Sequence, residues 1–462
     1  MAGMSSGPDH AAHETETAPP LAGTTYPLHE HTLANGLRVI ASPDHGSPSV
    51  AVNLWYRVGS RHERAGLTGF AHLFEHIMFQ GSAHVASGEH FGLLQAAGAS
   101  LNATTWFDRT NYFESLPIGG LDLALWLEAD RMGTLLDALT EENFDTQREV
   151  VKEEKRQRYD NVPYGDVMER LGALTFPADH PYGHTTIGSM ADLDAASVDD
   201  ARAFFATHYV PGNAVLTIVG DLEPDEAFAK ADEYFGPLPA GAVPPDELAA
   251  PLPPLTGLPH DEAYADVPAE AVYFTWRLPS LDKPAFDAAE LALSILGGGQ
   301  TSRLHRELVR RTELAQGAGS AALGLIGGNS LGFATARARD GVSTDRLTEA
   351  LVTEIDRFAE EGPTDLELRR AKAQFERGWL QSMARLDSRA DQIGQFATLL
   401  GSPSRINTAL AEVNAITADQ VRRAAADHLR SDQRATLTYH RSGDTGSGTG
   451  DSDGGSTEQE DA

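Results

Sequence analysis

Two histidines four residues apart, with a glutamate directly before the second, could hold a metal ion and place a base beside it. They are His72, Glu75 and His76 in the stretch HLFEH, residues 72–76. On a helix, residues i and i+4 lie one turn apart, so both imidazoles could reach one zinc ion at about 2.0–2.1 Å. A glutamate at i+3 shares that face and could take a proton from the attacking water. The motif therefore predicts a hydrolytic metal site, provided that a helix and a third ligand position it.

Residues 68–79 have the pattern of an amphipathic helix. At about 100° per residue, one side collects the apolar side chains of Phe70, Leu73, Phe74 and Ile77. His72, Glu75 and His76 gather on the opposite side, so the helix should bury one face and present the motif on the other. The alternative interpretation is a solvated helix face, because such a string arises by chance in about one in ten chains of this composition.

A catalytic zinc ion also needs a third protein ligand, and residues 145–161, DTQREVVKEEKRQRYDN, contain the candidates. Glu154 follows Val150 by four residues and Val151 by three, so on a helix it shares their inward face. Glu153 projects to the side. We therefore favour Glu154 as the third ligand, with Glu153 as its rival.

The start of this second helix is predicted from a capping box. Thr146 and Glu149 have the spacing at which each side chain satisfies the other residue's backbone N–H. This pattern gives Glu149 a structural role at the helix N-terminus.

The composition limits the function classes. The chain has 462 residues and a formal net charge of −31, from 36 basic and 67 acidic residues. This charge argues against nucleic acid as a partner, because a phosphate backbone needs a positive surface. The chain has no cysteine, so a metal must be held by histidine and carboxylate. We recognise no secretory signal and no apolar run of about 20 residues, so we expect a cytoplasmic protein with no membrane partner.

The chain divides into segments of contrasting composition. Residues 1–24 are predicted to be a disordered tail, residues 236–260 a proline-rich linker, and residues 442–462 a disordered acidic tail. Between them lie two candidate domains. Residues 25–235 contain the metal motif, and residues 261–441 contain no metal site.

The two candidate domains are similar to each other. VNLWYRVGS at 52–60 and VYFTWRLPS at 272–280 both have the pattern of a strand with a buried tryptophan, and a helical stretch follows each. The strands alternate and the helices come in pairs, which favours antiparallel sheets over a doubly wound parallel sheet. We therefore predict an α+β fold of two homologous domains, each a mainly antiparallel sheet covered by helices.

The order H-x-x-E-H inverts the commoner zinc-peptidase motif. Together with the glutamate helix, it resembles the pitrilysin and insulysin family of zinc peptidases, especially the branch of mitochondrial processing peptidase and its bacterial relatives. The segments that carry the resemblance are LANGLRVIASPD, GLTGFAHLFEHIMFQGS, LNATTWFDRTNYFESLP, REVVKEEKRQRYDNVPYG, HPYGHTTIG, YVPGNAVLTIVGD and GGGQTSRLHRELV.

The resemblance implies a zinc-dependent endopeptidase that cleaves unfolded peptides or oligopeptides. In that family's pattern, His72, His76 and Glu154 hold Zn²⁺. This assignment agrees with the predicted position of Glu154 on the inward face of its helix. Glu75 is then the general base that deprotonates the attacking water.

Substrate contacts and a partner subunit are also implied by the resemblance. The strand SLNATT resembles the substrate-side strand, and would bind an extended peptide at Asn102 and Ala103 by adding a strand to the sheet. Active relatives present an arginine and a tyrosine from the second homologous unit, an oxyanion-hole role. This chain has Gln316 at the tyrosine position and Arg310 near the arginine position. We therefore predict a homologous partner subunit, in a heterodimer or a homodimer, that encloses a chamber with this chain.

Two other functions stay open at this point. One is a zinc-binding, noncatalytic scaffold in a larger complex, and the other is a peptide-binding subunit that does not cut. The presence of Glu75 argues against the scaffold, because a scaffold does not need a base beside its metal. Mutation of Glu75 would separate the peptide-binding subunit from the peptidase.

Overall fold

The computed structural model describes residues 25–245 and 247–442. The predicted tail at 1–24, and the predicted tail at 442–462 apart from its first residue, lie outside the described residues. Within the described ranges, no helix combines the length and the apolarity that a membrane crossing requires.

The first half of the chain forms one sheet and the helices around it. Its strands are β1 (His29–Thr32), β2 (Arg38–Pro43), β3 (Ser49–Tyr56), β4 (Ser100–Thr105), β5 (Thr110–Pro117) and β6 (Ala214–Gly220). Its helices are α1 (Phe70–Ile77), α2 (Glu89–Ala96), α3 (Leu121–Ala138), α4 (Glu141–Lys155), α5 (Val167–Thr175), α6 (Met190–Ala195), α7 (Val198–His208) and α8 (Pro224–Phe235).

The second half forms another sheet. Its strands are β7 (His260–Ala265), β8 (Ala271–Pro279), β9 (Ala315–Leu323), β10 (Asn329–Ala338) and β11 (Ala435–Arg441). Its helices are α9 (Pro284–Gly297), α10 (Thr344–Glu361), α11 (Asp365–Met383), α12 (Leu386–Leu399), α13 (Ala409–Ala415) and α14 (Ala418–His428). Between α8 and β7, the described residues form no helix or strand. The exact domain boundaries stay predictions.

Both sheets repeat one strand order. The first sheet runs β1-β2-β6-β3-β5-β4, and the second runs β7-β11-β8-β10-β9. If β1 is set aside, each strand of the first sheet has a counterpart at the same place in the second. In the first sheet, β6 pairs parallel with β2, and in the second sheet, β11 pairs parallel with β7. All other neighbouring strands pair antiparallel. The predicted α+β fold of two homologous, mainly antiparallel domains is therefore confirmed.

Strand β3 shows how the first sheet buries both of its faces. One face consists of Val50, Val52, Leu54 and Tyr56. This face packs against the half's own helices, which bury Phe74 of α1 and Phe235 of α8 there. Because side chains alternate along a strand, Ala51 and Trp55 lie on the opposite face, where they are also buried. A second layer must therefore cover that opposite face.

The second layer is a helix from the other half. Helix α12 packs on β3 and β6, and Ile393 is buried there in one cluster with Trp55. In return, α5 of the first half packs on β8 and β11, with Leu171 buried beside Tyr273 and Leu437. The two halves thus exchange one covering helix each, a feature that the sequence did not predict.

The close packing of α12 requires a glycine. Gly394 lies against the ring of Trp55, and a Cβ atom at this position would come within 2.6 Å of Trp55 Cδ1. Any larger residue would therefore push the helix away from the sheet. Trp276, the other tryptophan of the repeated strand pattern, is also buried but packs in the core of its own half.

A buried polar network joins the two halves beside the β4–β5 loop. Asp108 in this loop accepts a hydrogen bond from the Tyr182 hydroxyl at 2.6 Å and pairs with Arg61 Nε at 2.9 Å. From the second half, the N–H of Ile326 donates to Asp108 at 3.2 Å, and the N–H of Gly327 donates to the Tyr182 hydroxyl at 2.6 Å. One end of β4 is therefore fixed against the second domain.

Candidate metal centre

The HLFEH motif lies on α1, and a glycine sets where this helix starts. The helix covers Phe70–Ile77, two residues less at each end than the predicted 68–79. Gly69 has a φ of 89°, a left-handed conformation that favours glycine. A Cβ atom there would also meet the backbone oxygen of Ile187 at 2.5 Å. The helix therefore begins only after Gly69.

The two faces of α1 are the predicted ones. The buried side contains Phe70, Ala71, Leu73, Phe74 and Ile77. On the other side, the side chains of His72 and His76 are 15% and 24% exposed. The helix thus anchors itself in the core and leaves the motif facing a cavity.

Glu63 caps α1 from a preceding turn. Its carboxylate accepts the N–H of Gly69 at 2.9 Å and the N–H of Ala71 at 2.7 Å. His184 Nε2 lies 2.9 Å from the same carboxylate. A negative charge at a helix N-terminus stabilises the free N–H groups and the helix dipole. Sequence reasoning missed Glu63, because it lies six residues before Gly69.

Helix α4 brings Glu154 to α1. The capping box of α4 consists of Thr140 and Asn143, so the prediction of a box at Thr146 and Glu149 was wrong. Thr146 lies inside the helix, where its hydroxyl donates to the carbonyl of Glu142 at 2.7 Å. The helix starts earlier than predicted, yet its inward face is the predicted one.

Glu154 faces the motif and Glu153 does not. The side chain of Glu154 is 17% exposed and that of Glu153 is 54% exposed. Glu153 accepts hydrogen bonds from Arg156 at 3.0 Å and Gln157 at 2.9 Å on the outer side. This arrangement supports the preference for Glu154 over its rival.

Three potential ligand atoms converge. Glu154 Oε2 lies 3.3 Å from His76 Nε2 and 3.8 Å from His72 Nε2, and the three ligand atoms lie within 4.8 Å of one another. Tetrahedral zinc with bonds of about 2.0–2.2 Å places its ligand atoms about 3.3 Å apart. Two imidazoles and one carboxylate are also a donor set of catalytic zinc sites. These residues therefore fit a zinc ion.

The protonation states favour metal binding. Burial, followed by the neighbouring His76, lowers the pKa of His72 to about 4. The contact with His76 is the largest influence on Glu154, whose pKa it lowers. The other carboxylate oxygen of Glu154 pairs with Arg158 Nη1 at 2.7 Å. At neutral pH His72 is therefore neutral and Glu154 ionised, as metal ligands must be.

Glu75 lies beside these ligands with its own support. The hydroxyl of Thr105, at the end of β4, donates to Glu75 Oε2 at 2.5 Å. Burial, the largest influence, and the charge of Glu154 raise the pKa of Glu75, although Thr105, His76 and Arg109 act in the opposite direction. A carboxyl group of this kind can both accept and return a proton. Thr105 was not predicted, since it lies 30 residues from Glu75 in the sequence.

The motif opens into a cavity of about 350 Å³, and one wall of this cavity is β4. Strand β4 pairs with β5 and stands at the edge of the first sheet. Ala103 lines the cavity. Asn102 is exposed, and its side-chain oxygen accepts the N–H of Ala103 at 2.9 Å. The two strand residues predicted to contact substrate thus lie on an edge strand beside the candidate metal centre.

Arg310 and Gln316 lie elsewhere. Arg310 is exposed in the π-helical turn His305–Arg311 of the second half. Gln316 is the second residue of β9 and is also exposed. Neither residue lines the cavity at the metal centre in the part of the chain that the structure describes. A substrate contact by Arg310 stays a prediction.

Sequence models of one peptidase family match most of the chain. The model described as Insulinase (Peptidase family M16) matches residues 38–188, and the model described as Peptidase M16 inactive domain matches residues 195–375. A Helicobacter pylori protein named zinc protease PqqE is 32% identical over 382 residues, which are 81% of this chain and 84% of that protein. The chain belongs to the M16 peptidase family. The candidate metal-ligand group lies in the first matched region, and within the described residues the region matched by the "inactive domain" model contains no such group.

Other M16 relatives agree with this assignment. A Streptomyces coelicolor protein, named an uncharacterized zinc protease, is 27% identical over 413 residues, which are 86% of each chain. A crystal structure of a protease from Helicobacter pylori superposes with a TM-score of 0.84 at 26% identity, covering 90% of this chain and 100% of that one. The first half of the periplasmic protease PqqL from Escherichia coli shares the fold, with a TM-score of 0.72 at 19% identity over 90% of this chain and 93% of that one.

Proposed function

We propose that this chain is a zinc-dependent endopeptidase that cleaves extended peptides. The observation that carries the proposal is the convergence of ligand atoms from His72, His76 and Glu154, with the Glu75 carboxylate on the same side of α1. The names of the M16 relatives, several of which are zinc proteases, support zinc as the metal and peptides as the substrate.

A zinc ion held by the three ligands would lower the pKa of a bound water and polarise the peptide carbonyl. Glu75 takes a proton from the attacking water and delivers it to the amine that leaves. Its raised pKa suits both transfers. Thr105 fixes the position of the Glu75 carboxylate through its hydrogen bond, and Arg158 does the same for Glu154.

The substrate binds as an additional strand on β4. Because β4 is an edge strand, its outer N–H and C=O groups are available to an extended chain. Asn102 and Ala103 lie on this strand, and Thr105 at its end contacts the general base. Binding of this kind needs an extended backbone, so unfolded peptides are preferred over folded proteins.

A homologous subunit completes the enzyme. The stretch that would supply an arginine and a tyrosine has Arg310 and Gln316, and both residues are exposed in this chain. A second M16 subunit, identical or homologous, would close a chamber over the metal centre and supply the groups that stabilise the developing oxyanion. The cytoplasmic location that the sequence predicts stays a prediction.

A quenched-fluorescent peptide library tests the function, with zinc, with a chelator, and with the variant Glu75→Gln. We expect chelator-sensitive cleavage and a fall in kcat of about 10²–10⁴-fold in Glu75→Gln, with zinc still bound at one ion per chain. The matched control is Glu153→Gln, which removes an exposed carboxylate from the outer side of α4 and should keep full activity.

Two outcomes would contradict parts of the proposal. Turnover that survives Glu75→Gln would show that another group is the base. Zinc and peptide binding without any cleavage, even with a homologous subunit added, would favour a peptide-binding subunit or a noncatalytic scaffold.

A further inference from the structure

A partly buried arginine holds the end of β4 in place. Arg109 is the last residue of the β4–β5 loop, directly before β5. Its guanidinium nitrogen Nη1 donates to the carbonyl oxygen of Thr104 at 2.8 Å and also to the Thr104 hydroxyl. The same nitrogen donates to Asn111 Oδ1 at 2.9 Å. The guanidinium therefore binds the second-last residue of β4 through both its backbone and its side chain.

Two asparagines connect this contact to the second half of the chain. Asn111 Nδ2 donates to Asn53 Oδ1 at 3.0 Å and to Asp391 Oδ1 at 3.1 Å. Asn53 Nδ2 also donates to Asp391 Oδ1, at 3.3 Å. Both asparagines are buried. Asp391 belongs to α12, the covering helix from the second half. A continuous set of hydrogen bonds therefore joins the end of β4 to α12.

Opposite charges lie close together in this network. Burial lowers the pKa of Arg109 to about 10, while the charges of Asp391, Glu75 and Asp108 oppose this decrease. Burial raises the pKa of Asp391, and the charge of Arg109 is the largest influence in the opposite direction. The guanidinium also lies over the ring of Trp55, 4.8 Å from its centroid. At neutral pH Arg109 is therefore charged, between α12 on one side and the general base on the other.

The residue that Arg109 holds is next to the contact with the general base. Thr105 follows Thr104 and donates its hydroxyl to Glu75 at 2.5 Å. In the loop, the N–H of Trp106 donates to the carbonyl of Arg109 at 2.9 Å. Such pairing recurs at every second residue of antiparallel strands, so the N–H and C=O of Thr105 point away from β5, toward the free edge. A shift of Thr104 would therefore move both the contact with the base and the edge groups that a peptide can use.

We infer that Arg109 is a positioning residue, through which α12 of the second half fixes the end of β4 and, with it, the carboxylate of Glu75. The inference rests on the proposed peptidase function. Burying a guanidinium costs free energy, because the group loses its hydration. Its planar shape and fixed donors supply a defined geometry. The second half thus contributes to the reaction, although its described residues contain no metal-ligand group.

The variant Arg109→Met tests this role, because methionine keeps an apolar stem and removes every donor. The kinetics are measured on folded chain with one zinc ion bound. We expect kcat to fall about 10–100-fold and KM to change less than about threefold, since the base is misplaced while most of β4 still binds the peptide.

The matched control is Arg389→Met. Arg389 also lies on α12 and pairs with Asp44 of the first half at 2.5 Å. Asp44 directly follows β2, and three strands separate β2 from β4 in the sheet. The control therefore weakens the contact between the halves at a distance from β4, and should leave kcat and KM unchanged.

A double-mutant cycle tests whether α12 acts through Arg109. Asp391→Asn keeps an acceptor oxygen for both asparagines but removes the charge. It should lower kcat, by less than Arg109→Met does. The double variant should have the kcat of Arg109→Met alone, because the support from α12 has no further effect once Arg109 is absent.

Four results would overturn the inference. A wild-type kcat in Arg109→Met, or an equal loss in Arg389→Met, would show that Arg109 has no positioning role. A change in KM alone would assign Arg109 to peptide binding and not to the position of Glu75. An unchanged kcat in Asp391→Asn, or losses that multiply in the double variant, would contradict the role of α12.

Hydrogen exchange separates this inference from the peptidase function. In the full chain, the amides of residues 104–109 should exchange about tenfold faster in Arg109→Met, because the hydrogen bonds that hold Thr104 are lost. Arg389→Met should not change this segment. If the wild-type chain cuts no peptide, the peptidase function fails, yet faster exchange here would still support the hold of Arg109 on β4. If peptides are cut, and Arg109→Met has wild-type exchange and kcat, the peptidase function stands and the inference is wrong.

Discussion

The substitution Glu63→Gln tests how α1, the helix that contains the HLFEH motif, is held in place. The Glu63 side chain is fully buried. Its carboxylate accepts hydrogen bonds from the N–H groups of Gly69 and Ala71 and also contacts His184. Glutamine keeps the shape of the side chain but has only one acceptor oxygen. Its NH₂ group would face another donor, so one of the two helix N–H groups loses its acceptor.

The expected effect follows from the chemistry of that bond. A hydrogen bond to a charged group contributes about 1.5–3 kcal/mol. Burial raises the pKa of Glu63, so desolvation of the carboxylate offsets part of this gain. We therefore expect the first turn of α1 to open about 2 kcal/mol more easily, a factor of about 30 in the opening equilibrium.

Hydrogen exchange on the metal-free protein measures this opening. In Glu63→Gln, the amides of Gly69 and Ala71 should exchange about 30-fold faster than in the wild-type chain. Amides in the interior of α3 should keep their protection, and the control Glu360→Gln, at an exposed position near the end of α10, should change neither set. Unchanged protection in α1 would refute the capping role of Glu63. An equal loss throughout the first domain would show a global effect and not a helix cap.

Three further sets of substitutions follow from the described contacts. Glu154→Gln should weaken zinc binding at least about tenfold in competition with a chromogenic chelator, whereas Glu153→Gln should not; equal effects would refute the choice of ligand. Ile393→Ala should lower the free energy of unfolding in urea by about 2–5 kcal/mol, because this fully buried residue holds α12 on the first sheet; a loss below about 1 kcal/mol would contradict that packing. Burial raises the pKa of Glu367, but the hydrogen bonds from Arg303 and Thr364 and the charge of Arg303 together outweigh it and lower the pKa to about 2. A lowered pKa gives stability that is present above the ordinary value of 4.5 and lost as the pH falls to about 2. The stability difference between the wild-type chain and Glu367→Gln, about 2 kcal/mol after allowance for solvent screening, should therefore shrink over that window in urea titrations; a constant difference would refute the assignment.

Local patterns predicted the faces of the site helices better than their ends. The 3.6-residue period placed His72 and Glu154 correctly, because burial of an apolar stripe fixes the rotation of a helix. The predicted start of α1 was two residues too early, because apolar periodicity does not show that Gly69 takes a left-handed conformation, after which the helix begins. The start of α4 was wrong because Thr146 and Glu149 match the capping pattern inside a helix that Thr140 already caps.

The features that the sequence did not predict depend on contacts between segments that lie far apart in the chain. The similarity of the two halves was predictable, since VNLWYRVGS and VYFTWRLPS share a strand pattern and a helical stretch follows each, but the order of the strands in each sheet was not predicted. The exchange of α5 and α12 was not predictable, because alternation along a strand shows that a face is buried and never which helix buries it. For the same reason, the hydrogen bond between Thr105 and Glu75 and the buried network around Asp108 appear only in the folded chain.

The exchange of covering helices sets an order of events during synthesis. The last strand of the first sheet ends at Gly220, and α12 begins at Leu386, about 170 residues later. At about 5–20 residues per second, a ribosome takes about 10–30 s to make this stretch. During that time the nascent chain exposes the apolar face around Trp55, which attracts chaperones and other unfinished chains. The first domain therefore cannot finish folding until translation of the second is nearly complete.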